Sequence, residues 1–270
     1  MSAPMHRFTH LARVFDPRLR SHQIVLVIAA GSAALSFAFG GGPFDAVFAA
    51  GAAGLGWAIA REIAPDHVMP SFYAALGAGV FQVLVGGVGI GTLYLVLVFL
   101  RILVRTTGAA PKTSDLAGNL LVALFFSSTL PGLITALGIA TALWLSPILP
   151  RPGPKDHRIW AVGYAIVPLV GFALSPPPTV PDSTGAGWLL FSISVLASIG
   201  LFGEARPTSV GDIDREPLDG ARLRLGRLEL VTLLVVMAVT TLGSANAVVA
   251  PAWWAVMATG VRQIRDRSSS

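Results

Sequence analysis

Apolar residues gather into five long stretches, 24–60, 72–100, 116–149, 159–202 and 228–261, and short connectors between them hold almost all of the charge. Crossing the hydrocarbon core of a bilayer takes roughly 20 apolar residues, with about 17 as a lower limit. Stretches of 29 to 44 residues are therefore too long for one crossing each, the shortest excepted. Each is also interrupted by glycine and proline, the strongest punctuation of local structure. The interruptions are Gly40-Gly41-Gly42-Pro43, Gly86-Gly87-Val88-Gly89, Leu130-Pro131-Gly132, Ser175-Pro176-Pro177-Pro178 through Gly187, and Gly243 to Pro251. The pattern predicts five helical hairpins, about 24–60, 72–103, 116–149, 158–202 and 228–261, built from ten short helices. The second hairpin strains this scheme, because its halves hold only about 13 to 15 apolar residues, below spanning length. One long tilted helix, or a span with a re-entrant piece, are its alternatives, so the expected count is eight to ten spans.

Composition agrees with a membrane and adds orientation. Of 270 residues 54% are hydrophobic and 12% charged, with a mean hydropathy of +0.71, against about 25% charged in an average soluble chain. Inside the stretches the only carboxylates away from the edges are Asp45 and Asp182, both near hairpin turns. Lys and Arg mark the cytoplasmic side. They concentrate in the N-terminal segment (Arg7, Arg13, Arg18, Arg20), the connectors holding Arg101, Arg105 and Lys112, or Arg151, Lys155 and Arg158, and the tail with Arg262, Arg265 and Arg267. The expected architecture is an all-α polytopic transmembrane helix bundle with both termini in the cytoplasm, in the cytoplasmic membrane of a prokaryote. Residues 1–22 form a cytoplasmic amphipathic segment carrying Phe8, Leu11 and Phe15 at helical spacing. Residues 23–262 form one membrane domain, and 263–270 a cytoplasmic tail. Asp16-Pro17 reads as the start of the first span and Asp214-Arg215-Glu216-Pro217 as a capped start in the long connector.

The chemistry is sparse. With no cysteine there is no disulfide, thiol nucleophile or Cys-ligated metal. H-E-x-x-H, G-x-x-x-x-G-K-[ST] and G-x-S-x-G are all absent. Asp219-Gly220-Ala221-Arg222 lacks the spacing and downstream aspartates of the CDP-alcohol phosphotransferase signature. No cofactor or metal is assigned, catalytic residues are unknown, and nucleic acid is not expected as a partner. Two groups stand out. Gln82, Asn119, Ser127, Ser128, Thr129 and Asn246 are polar positions within the stretches; they suit a cavity for a neutral or weakly polar solute, or hydrogen bonds between helices. Arg61, Glu62, Asp66, His67, Asp115, Asp156 and His157 lie in connectors expected to share the cytoplasmic face. Together they have the chemistry for a divalent cation or a lipid phosphate, or for helix capping and contact with anionic lipid headgroups. Transport or permeation of a neutral solute is the first expectation. An inner-leaflet lipid-headgroup enzyme or lipid-binding protein is the second, and an assembly partner in a homo- or hetero-oligomeric membrane complex the third.

Overall fold

The computed structural model describes residues 9–11, 15–176, 185–202 and 207–268. Asp182, with most of the fourth hairpin's expected turn, lies outside the described residues, as do Arg7, Phe8 and Arg13 of the N-terminal segment. Among the described residues the regular secondary structure is helical, with no strand. Eleven α-helices follow in order: α1 (Arg20–Ala38), α2 (Pro43–Ile63), α3 (Val68–Leu84), α4 (Ile90–Val104), α5 (Thr113–Phe126), α6 (Leu130–Leu145), α7 (His157–Leu174), α8 (Gly185–Ser198), α9 (Gly220–Thr240), α10 (Ala245–Val248) and α11 (Ala250–Ser268). A 3-10 turn, Ile199–Phe202, extends α8. Four helical segments are long and apolar enough to cross a membrane: α1, α2, α7, and α8 with its 3-10 turn.

Local chemistry sets the helix ends. Pro43 occupies the first turn of α2, where its missing N–H costs nothing, and the Asp45 carboxylate accepts from the Gly42 amide at 2.9 Å. The Thr129 hydroxyl caps α6 by accepting from the Gly132 amide at 3.2 Å. Asp219 caps α9, accepting from Ala221 and Arg222 amides at 2.9 Å each. Two expected starts move. α1 begins at Arg20, because Asp16 instead closes a turn in which its carboxylate accepts from the Arg18 amide. α9 begins after Asp219, because Asp214 is held inside the connector, accepting from the Glu216 amide and facing Arg151 at 3.5 Å.

The second apolar stretch is two helices, not one. α3 and α4 extend beyond the expected hairpin at their charged ends, to 17 and 15 residues, and break at 85–89. Gly86 and Gly87 make this break with φ of 74° and 78°, a left-handed region that glycine enters without a steric penalty. At 1.5 Å per residue these helices are about 25 and 22 Å long, while the 21 residues of α2 reach about 32 Å.

α4 is the hub. Eleven of its fifteen residues are buried, and it packs against α2, α5, α6, α9 and α11. All but one of those eleven are apolar, so the axis of the molecule is filled by hydrocarbon side chains. Elsewhere, glycines set the closest approaches. A Cβ on Gly260 would lie 2.0 Å from the Ala197 carbonyl oxygen, and one on Gly200 would lie 2.1 Å from the Gly260 oxygen, so α8 and α11 cross backbone to backbone. Gly260→Ala should therefore force these helices apart and cost about 1–3 kcal/mol. Gly31→Ala, where nothing lies within 4 Å of the added carbon, should leave the thermal midpoint in detergent nearly unchanged.

Candidate functional site

The polar side chains collect at two opposite ends of the molecule. At one end the connectors α2–α3, α4–α5, α6–α7 and α8–α9 meet around arginines. Arg222, on the first turn of α9 and 1% exposed, donates to four main-chain carbonyls: Pro150 at 2.6 Å, Leu103 at 2.9 Å, and Ser146 and Arg151 at 3.2 Å each. Arg227, on the next turn, donates to Ile63 at 2.8 Å and Leu201 at 3.3 Å. Ile63 is the last residue of α2, Leu103 lies in the last turn of α4, Ser146 directly follows α6, and Leu201 lies in the 3-10 turn after α8. The last carbonyls of a helix have no partner within it and carry the negative end of its dipole. Two arginines of one helix thus satisfy four such ends, which fixes all four beside the start of α9.

Arg105, buried beside them at the end of α4, donates to the Arg151 carbonyl at 2.7 Å and the Ser146 hydroxyl at 2.9 Å. Burial, and then the neighbouring Arg151 charge, lower its pKa to about 10. The His157 ring lies 3.2 Å from the same hydroxyl through Nδ1. A further buried contact joins Glu62 to Arg101 at 3.0 Å and to the Thr106 hydroxyl in a short hydrogen bond, while Arg101 also donates to the Leu11 carbonyl at 2.7 Å.

The seven connector residues expected to share this end do lie in these connectors, each with its own partners. Arg61 and Glu62 end α2. Asp66 accepts two hydrogen bonds from Thr208 and two from Ser209. His67 precedes α3 and its amide donates to the Ala64 carbonyl. Asp115 accepts from the His10 and Lys112 amides at 3.0 Å each. Asp156 and His157 open α7. Among the described residues no three His, Asp or Glu side chains converge to hold a metal ion. Glu62, Asp66 and Asp115 are each satisfied by separate donors, Arg101 and Thr106, Thr208 and Ser209, and the His10 and Lys112 amides, which keeps these acids apart. The side chains that do meet are Arg105, Arg222 and His157 around Ser146, and Arg101 and Thr106 around Glu62, with Arg227 one turn along α9 from Arg222. The sequence signal for two of them is the alternation of Arg222, Arg224 and Arg227 with leucines at the start of α9.

Asp66 fastens the long connector to the α2–α3 turn. Partial burial works to raise its pKa, but the Ser209 hydroxyl, the Thr208 and Ser209 amides and the Thr208 hydroxyl outweigh it and hold the carboxyl below its ordinary value. A depressed carboxyl contributes stability above its unfolded pKa, about 3.9, and loses it as pH falls through the lower folded value. The connector should therefore resist trypsin at Arg215 at pH 7 to 8, and the Thr208 and Ser209 amides should stay protected from hydrogen exchange down to about pH 4 and lose that protection below it. Asp66→Asn should be cleaved several-fold faster at pH 7.

At the opposite end the helix breaks meet. The Gly89 amide donates to the Val248 carbonyl at 3.0 Å, joining the α3–α4 break to α10. Gly91 faces Phe126 at the end of α5, and Gly243 faces Trp188 at the start of α8. Gln82, Ser127, Ser128, Thr129 and Asn246 all belong to this end. Asn119 does not: it lies in the second turn of α5, in the half nearer the arginine end, and donates to the Asp115 carbonyl at 2.7 Å. Gln82 accepts from the Val88 amide at 3.0 Å, and Ser127, Ser128 and Thr129 donate to carbonyls three residues back. Those bonds stabilise turns. Asn246 differs. It is 0% exposed, and neither its amide nitrogen nor its amide oxygen has a hydrogen-bond partner among the described residues. The indole N–H groups of Trp253 and Trp254, on the helix that α10 leads into, are likewise buried without an acceptor.

Comparison with family models, with curated proteins and with solved structures finds no match to this chain.

Proposed function

We propose that this chain is a multi-pass protein of a prokaryotic cytoplasmic membrane that admits a small neutral solute, and that Asn246 is its recognition group. In this reading the arginine end is cytoplasmic, following the Lys and Arg bias of its connectors, and the end with the helix breaks is external. The observation that carries the proposal is the orphaned Asn246 amide. Leaving a buried donor or acceptor unpaired costs about 1–3 kcal/mol per group, and Asn246 carries one of each kind. A solute bearing both a donor and an acceptor offsets that cost.

Two features support the place. Irregular backbone at membrane depth is tolerated where protein buries it or where it lines a cavity, and interrupted helices supply binding sites in many carriers. Here two interruptions, 85–89 and α10, are bonded to each other beside Asn246. The helices meeting there are also short. With α2, α4 and α6 held level at the arginine end, the outer tip of α4 stops about 9 Å short of the outer end of α2, a difference of six residues. The apolar packing around α4 and the scarcity of buried carboxylates in the spans speak against an ion-coupled path.

Reconstituted vesicles test this by stopped-flow light scattering under inward gradients of glycerol or urea. Vesicles with the protein should reswell faster than protein-free ones. Asn246→Leu should reduce the added rate about tenfold, as expected for about 1.4 kcal/mol of lost hydrogen bonding, with its thermal midpoint preserved or raised. Reswelling no faster than protein-free vesicles for both solutes would refute the reading.

A further inference from the structure

A second site lies on the outside of the molecule at the arginine end, where α6 passes into α7. Trp144, on the last turn of α6, is 52% exposed, and Arg158, on the first turn of α7, places its guanidinium 5.4 Å from the centre of the Trp144 ring. A cation over an indole face is held by the ring quadrupole and keeps its N–H groups free to bind an anion. Lys155 lies one turn before Arg158 and is also exposed. Neither cation has a carboxylate within 4 Å among the described residues, whereas Arg101, Arg151 and Arg262 each do.

Below these cations runs an uncovered apolar stripe. Ile159 is 75% exposed, and Val162, Ile166 and Leu169 follow it on the surface of α7 at helical spacing. Ile148, in the α6–α7 connector, is exposed as well. Unpaired cations, then an interfacial tryptophan, then a column of aliphatic side chains is the order of chemistry met along one phospholipid, from phosphate through glycerol to acyl chain.

We propose that Lys155 and Arg158, with Trp144, form a binding site for the headgroup of an anionic phospholipid, whose acyl chain lies along Ile159, Val162, Ile166 and Leu169. The two cations recognise the phosphate, the tryptophan edge sits at the glycerol level, and the stripe fixes the lipid against α7. The site is independent of Asn246 and of any solute.

The test uses the full chain in vesicles of phosphatidylcholine doped with brominated phosphatidylglycerol, whose bromines quench nearby indoles. The quenching lost on Trp144→Phe isolates the contribution of Trp144 and gives the relative association constant of the anionic lipid there. Each Lys or Arg near the surface is worth about fivefold in that constant, so the double variant Lys155→Gln, Arg158→Gln should lower it about thirtyfold. Arg158→Lys, which keeps the charge, should lower it little. All three side chains changed are exposed, and an unchanged thermal midpoint in pure phosphatidylcholine confirms intact variants. An association constant unchanged in the double variant would overturn the proposal. So would full competition by millimolar inorganic phosphate, which would assign the site to a free anion.

Discussion

Arg222→Met should be the most damaging single substitution in this chain. The side chain has nearly the volume of the arginine stem, so packing survives, but four main-chain carbonyls lose their donor at once. A hydrogen bond from a charged donor contributes about 1.5–3 kcal/mol, and a buried acceptor left unpaired costs a comparable amount. Four such bonds are not additive, and water reaches some of the freed carbonyls, so the expected loss is about 3–5 kcal/mol. It should appear as a large fall in the thermal midpoint in detergent and in the yield of monodisperse protein. Lysine should not rescue the site. An ammonium on a flexible stem cannot span carbonyls on α4, α6 and the loop after α6 as the planar fork of arginine does. Arg224→Met, two residues away and exposed, is the control and should shift stability by less than about 0.5 kcal/mol.

Glu62→Ala should be nearly as severe, for a different reason. Glu62 is buried at the end of α2 and accepts from Arg101 and Thr106. Its removal leaves the Arg101 charge with the Leu11 carbonyl as its one remaining partner among the described residues, and breaking one side of a buried ion pair typically costs about 3–5 kcal/mol. Because the penalty is mostly that of the abandoned charge, removing both partners should cost less than the sum. Glu62→Gln combined with Arg101→Gln should recover more than about 1 kcal/mol relative to the summed single variants. Urea unfolding of the four proteins of this cycle measures the coupling directly. Strict additivity would show that the pair is held by geometry without contributing to the fold.

The contrast between these residues explains how much of the molecule the sequence reveals. Helix breaks are legible because glycine and proline act through local backbone sterics. The interruptions at 40–43, 86–89, 130–132 and 243–251 all fall at helix boundaries, with α10 as the one added element. Helix starts are less legible, since an aspartate can cap a helix, as Asp219 does, or close a turn ahead of it, as Asp16 does. The arginine contacts were the least legible. Arg222 and Arg227 bind main-chain carbonyls 26 to 164 residues away, and a carbonyl has no residue type to search for. Read locally, the same arginines are an interfacial lead into a span. The acids and histidines of the connectors drew attention because they have familiar chemistry, yet Asp66 and Asp115 spend it on neighbouring amides. Of the polar positions within the stretches, Asn246 is the one with nothing else to bind, a distinction that only burial and hydrogen bonding together could make.

Both the solute reading and the place of the lipid site depend on direction: all connectors from α2–α3 to α8–α9 on the cytoplasmic side, all helix breaks outside. The chain has no cysteine, so single-cysteine variants report position without background. Ser128→Cys, exposed in the α5–α6 turn, and Arg215→Cys, exposed in the long connector, should be labelled in intact cells with a membrane-impermeant maleimide. The expected result is labelling of Ser128→Cys in intact cells and of Arg215→Cys only after permeabilisation. Labelling of Arg215→Cys in intact cells, or of both variants from the same side, would contradict it.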